Sequence, residues 1–251
     1  MITEKEIIET LFSFIKDHFD DFNHQPRGND KWWLSTQYGH SWAPFVEACF
    51  ILEGEKRCYG EVNNKIGEIG HSYTHPNITN VFQKMLKNPE PYNSQTRYLD
   101  FDLIDLSWRD KNDKLILALE HSEDGSKTDN QLKEIFREMD KLNGNSSDFN
   151  VIVSRPRLRR LPGHRDQYSD RLIEYENRIK EKLSEMQSKE NWIFILIAPE
   201  SDFIPVNTSK KIIFHCYKWE NDKLSKIVSE IGEDYSFEVI QNDEGKIIKK
   251  Q

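Results

Sequence analysis

Cysteine is scarce in this chain, with three in 251 residues, Cys49, Cys58 and Cys216. The number is odd and no pair has CxxC spacing, so structural thiols in a reducing compartment, the cytoplasm, are expected. A disulfide framework or a zinc site is not. Long apolar runs are missing as well. No stretch approaches the roughly 18 residues that a membrane span needs, and the acidic, amphipathic start MITEKEIIET lacks the form of a signal peptide. No membrane partner is expected. There is no Gly-rich phosphate loop, no GxSxG and no HExxH, which leaves kinase, hydrolase-triad and zinc-peptidase chemistry without support. Positive charge is in deficit: 35 Lys plus Arg stand against 43 Asp plus Glu, a formal net charge of −8. Phosphate binding needs local positive charge, so the total counts against nucleic acid as a partner.

What is present is enough apolar material for a core, 36% hydrophobic and 12% aromatic. Val, Ile, Leu, Phe and Trp clusters interrupt the charge regularly, which excludes wholesale disorder, collagen and coiled coil. The periodicity predicts an amphipathic helix over 4–22, with Ile7, Ile8, Leu11, Phe12, Ile15 and Phe19 inside. An aromatic stretch follows (Trp32, Trp33, Tyr38, Trp42), then a buried helix over 45–52. Loops or short strands are expected over 56–75 and a helix over 76–87, opened by Pro76 and ended by Pro89. Strands at 98–108 and 114–121, joined by the polar turn Arg109 to Asp113, read as a hairpin. A helix over 128–142, a strand over 149–154, a helix over 166–189 and strands over 192–198 and 211–217 complete the core. The tail is expected to hold a short helix near 224–231 and an edge hairpin. Strands without side-chain alternation, separated by helices, imply an α/β fold with a central mixed sheet flanked by helices. We divide the chain into an N-terminal helical and aromatic extension (1–75), an α/β core (76–220) and a tail (221–251).

The hairpin is where the chemistry is expected. A turn centred on Lys111 places Asp102 opposite Glu120, Asp100 opposite Ser122, and Asp105 opposite Leu117 on the other face. Directly opposed residues share a face with Cβ atoms about 4.5–5.5 Å apart. Two carboxylates so placed call for a divalent cation or a retained proton, and oxygen-only ligands favour a hard cation such as Mg²⁺. The alternative is a pair of solvated or salt-bridged acids. The strand LILALEHS is apolar on both sides up to Glu120, which argues for a central position.

The run YLDFDLIDLSW, turn, LILALEHS, followed by helix, strand and helix, resembles the PD-(D/E)XK nuclease superfamily. The resemblance implies a restriction-endonuclease-like αβββαβ core with an N-terminal helical extension. It maps the superfamily's two metal-binding acids onto Asp102 and Glu120, with Mg²⁺ or Mn²⁺ as cofactor and phosphodiester hydrolysis of nucleic acid, DNA favoured, as the activity. The motif lysine belongs two residues after the glutamate, where this chain has Ser122. The superfamily's relocated basic residues point to the following helix, which offers Lys133, Arg137 and Lys141; Lys133 is the nearest in sequence and is taken as the candidate for the relocated catalytic lysine. Glu47, on the helix before the core, is a third candidate metal ligand. The substitution at Ser122 also leaves open a degenerate protein that binds nucleic acid or a protein partner without cutting.

Between the strand ending at Ser154 and the next helix lie five arginines and no acid: Arg155, Arg157, Arg159, Arg160 and Arg165. They form a candidate phosphate clamp, since guanidinium groups bind phosphate bidentately, with Lys210 and Lys211 as possible additions. A solvated loop is the competing reading. His71 and His75 rank low as metal ligands, and the tryptophans rank higher as core than as base-stacking platforms. Assembly as a homodimer is among the expectations.

Overall fold

The computed structural model describes residues 2–22, 43–57, 105–112, 114–122, 128–156, 158, 168–200, 208–243 and 247–251. The predicted helix over 76–87, the aromatic stretch Trp32 to Trp42, Cys58, His71 and His75 lie outside the described residues, as do Asp100 and Asp102.

Among the described residues four helices and eight strands are seen: α1 Glu4–Phe22, α2 Ala43–Lys56, β1 Leu106–Arg109, β2 Leu115–Ser122, α3 Thr128–Leu142, β3 Phe149–Ser154, α4 Tyr168–Glu185, β4 Trp192–Pro199, β5 Ser209–Glu220, β6 Lys223–Ile227, β7 Tyr235–Gln241 and β8 Ile247–Lys249. One mixed sheet runs β1-β2-β3-β4-β5-β7-β8, with β6 paired to β5. The centre, β2-β3-β4, is parallel, and every other pairing is antiparallel. Parallel neighbours need a crossover, and α3 and α4 supply the two. The α/β class with a mixed sheet is therefore present.

The sheet is covered on both faces, which explains why its middle strands lack alternation. On one face Leu117, Leu119, Val151, Val153, Ile193 and Ile195 meet α1 and α2. On the other, Ala118, Ile152, Phe194 and Leu196 meet α3 and α4. The stripe Ile7, Ile8, Leu11, Ile15 and Phe19 of α1 is buried as its spacing predicts, and each such side chain contributes about 1.5–3 kcal/mol on burial. Cys49 and Cys216 are buried free thiols. No helix among the described residues is long and apolar enough to cross a membrane.

The tail departs from expectation. The segment expected as a short helix, 224–231, begins as strand β6, hairpin-paired to β5. Leu224, Ile227, Val228 and Ile231 do recur at helical spacing, but Asn221 and Asp222 adopt φ of 53° and 60°, a two-residue turn whose twist matches paired strands. That turn hands the chain to the open edge of β5, and Ile231 is left exposed. The expected edge hairpin is present as β7 and β8.

Candidate functional site

The β1–β2 hairpin does not have the register that a turn centred on Lys111 implies. Leu117 pairs with Trp108 rather than Asp105, and Leu106 pairs with Leu119. Two local features move the ladder. Asp110 closes a wider loop, accepting from the backbone N–H groups of Asn112 at 2.8 Å and Lys114 at 3.0 Å. A register shift next to Arg109, which pairs with Leu115, then leaves Ile116 as the extra residue of a bulge. The result is that Asp105, the residue before Leu106, comes opposite Glu120. Its backbone N–H donates to Glu120 Oε1 at 3.1 Å, and its own Oδ2 accepts from the His121 N–H at 2.8 Å. The acid expected to face Leu117 is the one beside Glu120.

Glu120 is 1% exposed and points, like Ala118 two residues before it, to the face covered by α3 and α4. Its other oxygen, Oε2, lies 3.1 Å from Lys141 Nζ. Lys141 also makes a short ion pair with Glu138, one turn earlier on α3, and Glu138 Oε1 is held at 3.0 Å by Arg137, which reaches Glu134 as well. Four acids, Asp105, Glu120, Glu134 and Glu138, and two cations, Arg137 and Lys141, thus gather on one side of the sheet. Burial first, and then the neighbouring Asp105 charge, pushes the Glu120 carboxyl up to about 10. Burial likewise raises Asp105, against the pull of the His121 N–H and Lys141. Glu138 goes the other way: burial opposes its charge, but hydrogen bonds with Glu120, Lys141 and Arg137 prevail and hold it below the usual range. Burial thus favours the neutral form of Glu120, and the hydrogen bonds around Glu138 favour its charged form beside Lys141.

Of the residues singled out from sequence, Glu120 lies buried on β2 beside Asp105. Lys133 is on the exposed side of α3, and Lys141 is the lysine that contacts Glu120. Nearness in sequence was the wrong criterion, because α3 runs back along the sheet and brings its later turns over Glu120. The signal for that contact was present. Glu138 falls in the apolar stripe with Ile135, Met139 and Leu142, and a charge placed there needs a partner, which Lys141 supplies at i+3. Glu47 belongs to α2, whose Val46, Cys49 and Phe50 pack on the face of the sheet opposite Glu120; its side chain is outside the described residues.

Arg155 is 1% exposed at the end of β3, not a solvent-facing donor. It continues a buried strand, and Pro156 and Leu158 after it are buried too. Arg157, Arg159, Arg160 and Arg165 lie outside the described residues. Lys210 and Lys211 are on β5.

Among the described residues no three His, Cys, Asp or Glu side chains are arranged to hold a metal ion; the acids gather around Lys141. The donor set that Asp105 and Glu120 do offer is hard oxygen from two carboxylates, which suits Mg²⁺, a cation commonly held by one or two carboxylates with water and phosphate completing the shell. Comparison with protein-family models gives no match, and comparison with curated proteins gives none either.

Proposed function

We propose that the chain hydrolyses phosphodiester bonds of nucleic acid, DNA in the first instance, as a nuclease of the PD-(D/E)XK type with Asp105 and Glu120 as its acid pair and Lys141 in the role of the missing motif lysine. The observation that carries this reading is the meeting of Glu120 with Asp105 on one strand and Lys141 on the following helix. Ser122 cannot supply positive charge, and Lys141 does so from α3. Asp105 and Glu120 would hold a divalent cation, which when bound polarises the scissile phosphate and acidifies a water. The chain's own groups do the rest. Lys141 places an ammonium beside the acids, where it stabilises charge developing on phosphate oxygens. Glu138, held by Arg137, orients that ammonium. The mixed sheet fixes Glu120 on a buried strand, so the reacting groups are positioned before substrate arrives.

A second reading has its own observation. Both Glu120 oxygens are already engaged, by the Asp105 N–H and by Lys141. A protein that binds nucleic acid without cutting it would keep that arrangement as a structural hydrogen-bonded contact.

Plasmid and single-stranded oligonucleotide incubated with the full chain and Mg²⁺ or Mn²⁺ separate the two. Cleavage lost by roughly 10²-fold or more in Asp105→Asn, Glu120→Gln and Lys141→Met, but retained in Lys133→Met, supports the nuclease, since removing one such donor typically costs that much. Absence of cleavage with every substrate, alongside measurable oligonucleotide binding, establishes the non-cutting protein instead.

A further inference from the structure

A second group of polar side chains lies on the face covered by α3 and α4, away from Glu120 and unused by the reading above. His215 of β5 is 3% exposed. Its Nε2 is 2.7 Å from the hydroxyl of Tyr168, the first residue of α4. Its Nδ1 is 3.1 Å from Asp234 Oδ2. Asp234 immediately precedes β7, and the pairing of Phe214 with Tyr235 brings it opposite His215. The same Asp234 oxygen receives Lys226 of β6 at 2.9 Å.

The tautomer follows from the partners. A carboxylate can only accept, so Nδ1 carries the hydrogen that faces Asp234. In the neutral ring Nε2 then presents its lone pair, and the Tyr168 O–H donates to it. This is the order hydroxyl, base, orienting carboxylate that activates a weak nucleophile. Tyr217, two residues along β5 from His215, is arranged differently. Its hydroxyl donates at 2.6 Å directly to Glu176, and burial and that carboxylate push its ionisation far up. Tyr168 is only partly buried, whereas His215 behind it is 3% exposed.

We propose that Tyr168 is a nucleophile, with His215 as its base and Asp234 as the positioning residue, reactive toward tetrahedral phosphorus or acyl electrophiles. On attack the tyrosine oxygen bonds to the electrophilic centre, its proton passes to His215 Nε2, and the leaving group departs with the electron pair of the broken bond. This goes beyond the nuclease reading and does not rest on it.

Diisopropyl fluorophosphate tests the site directly. With this probe an O–P bond forms, the P–F bond breaks, fluoride leaves and the proton goes to His215. The full chain contains nine tyrosines, and peptide mass spectrometry resolves which of them gains the diisopropylphosphoryl group. We expect Tyr168 to be modified faster than any other tyrosine, with Tyr168→Phe removing the adduct while preserving the ring's packing. A positioned base contributes on the order of 10²–10⁴-fold, so Asp234→Asn and His215→Gln should each slow Tyr168 labelling by about 10²-fold or more in protein that still melts cooperatively. Should either variant fail to fold, the wild-type ranking of tyrosines and Tyr168→Phe still decide. Tyr168 left unlabelled, labelled no faster than the other tyrosines, or labelled equally fast in folded His215→Gln, overturns the proposal.

Discussion

At the scale of single residues the informative group is Glu120, an acid whose ionisation its burial opposes. Its ionisation in the folded chain is pushed up to about 10, by burial and then by Asp105, whereas an unfolded glutamate titrates near 4.3. Between those values the folded state binds a proton that the unfolded state has released. Folding stability must then fall as pH rises through that window, with a limiting slope of about 1.4 kcal/mol per pH unit for one proton. Asp105, also raised, acts in the same direction, while Glu138, held low, contributes stability that is lost only at acid pH. Urea denaturation from pH 5.5 to 9 should show a decline in the wild type and a flatter profile in Glu120→Gln, with the variant the more stable protein at pH 9. Parallel profiles would mean that Glu120 is ionised in the fold. The sequence located Glu120 because it ends a run of apolar residues on a strand with no exposed side. Its partners were less legible, since Asp105 depends on a bulge at Ile116 that no residue pattern announces, and Lys141 depends on where a helix crosses the sheet.

At the scale of elements, local pattern and tertiary demand agree wherever both faces of a segment are buried. The helix α3 and the strands β3 and β4 were readable for that reason. The hairpin of β5 and β6 was not, because the spacing of Leu224, Ile227 and Ile231 satisfies a helix equally well and the open edge of β5 decides. The connection from α4 to β4 shows how much one polar side chain holds in place. Ser188 is buried; its Oγ accepts from Trp192 Nε1 at 2.7 Å and its carbonyl from Trp219 Nε1 at 3.1 Å. Trp192 and Trp219 are directly opposed on β4 and β5, so a single loop residue satisfies the indole N–H groups of a cross-strand pair. Ser188→Ala deletes one acceptor and keeps the other, leaving a buried N–H without its bond. Such a loss costs about 1–3 kcal/mol, and chemical denaturation should register it as a lower midpoint with an unchanged slope. No change in midpoint would show that the Trp192 N–H finds another acceptor.

At the scale of the whole molecule, the net charge of −8 is not spread evenly over the structure. Three of the acids near Glu120 are matched by Arg137 and Lys141 or hold a proton, so the surplus does not accumulate where a phosphate would have to approach. The sheet adds a gradient of a different kind. β4 is buried along all eight residues and lies between β3 and β5, so its amides open only with the whole fold. β8, three residues long and among the described residues paired with β7 alone, opens by fraying. The candidate site spans that gradient. Glu120 sits on β2, flanked by β1 and β3, while Asp105 adjoins the four-residue strand β1, which among the described residues pairs only with β2. Native-state hydrogen exchange reports such differences as free energies of opening, from near zero at fraying ends to the global value in the core. We expect β4 to be the slowest class, β2 to approach it, and β1 and β8 to exchange at least about 10²-fold faster, equivalent to roughly 2.8 kcal/mol of smaller opening energy. Divalent cation gives this experiment its functional edge. If Asp105 and Glu120 hold the ion together, Mg²⁺ must bind the closed hairpin better than the frayed one and slow exchange in β1, leaving β8 unchanged as the internal control. Exchange in β1 that ignores Mg²⁺ at millimolar concentration, while β4 and β8 keep their separation, would leave Asp105 and Glu120 as a structural pair.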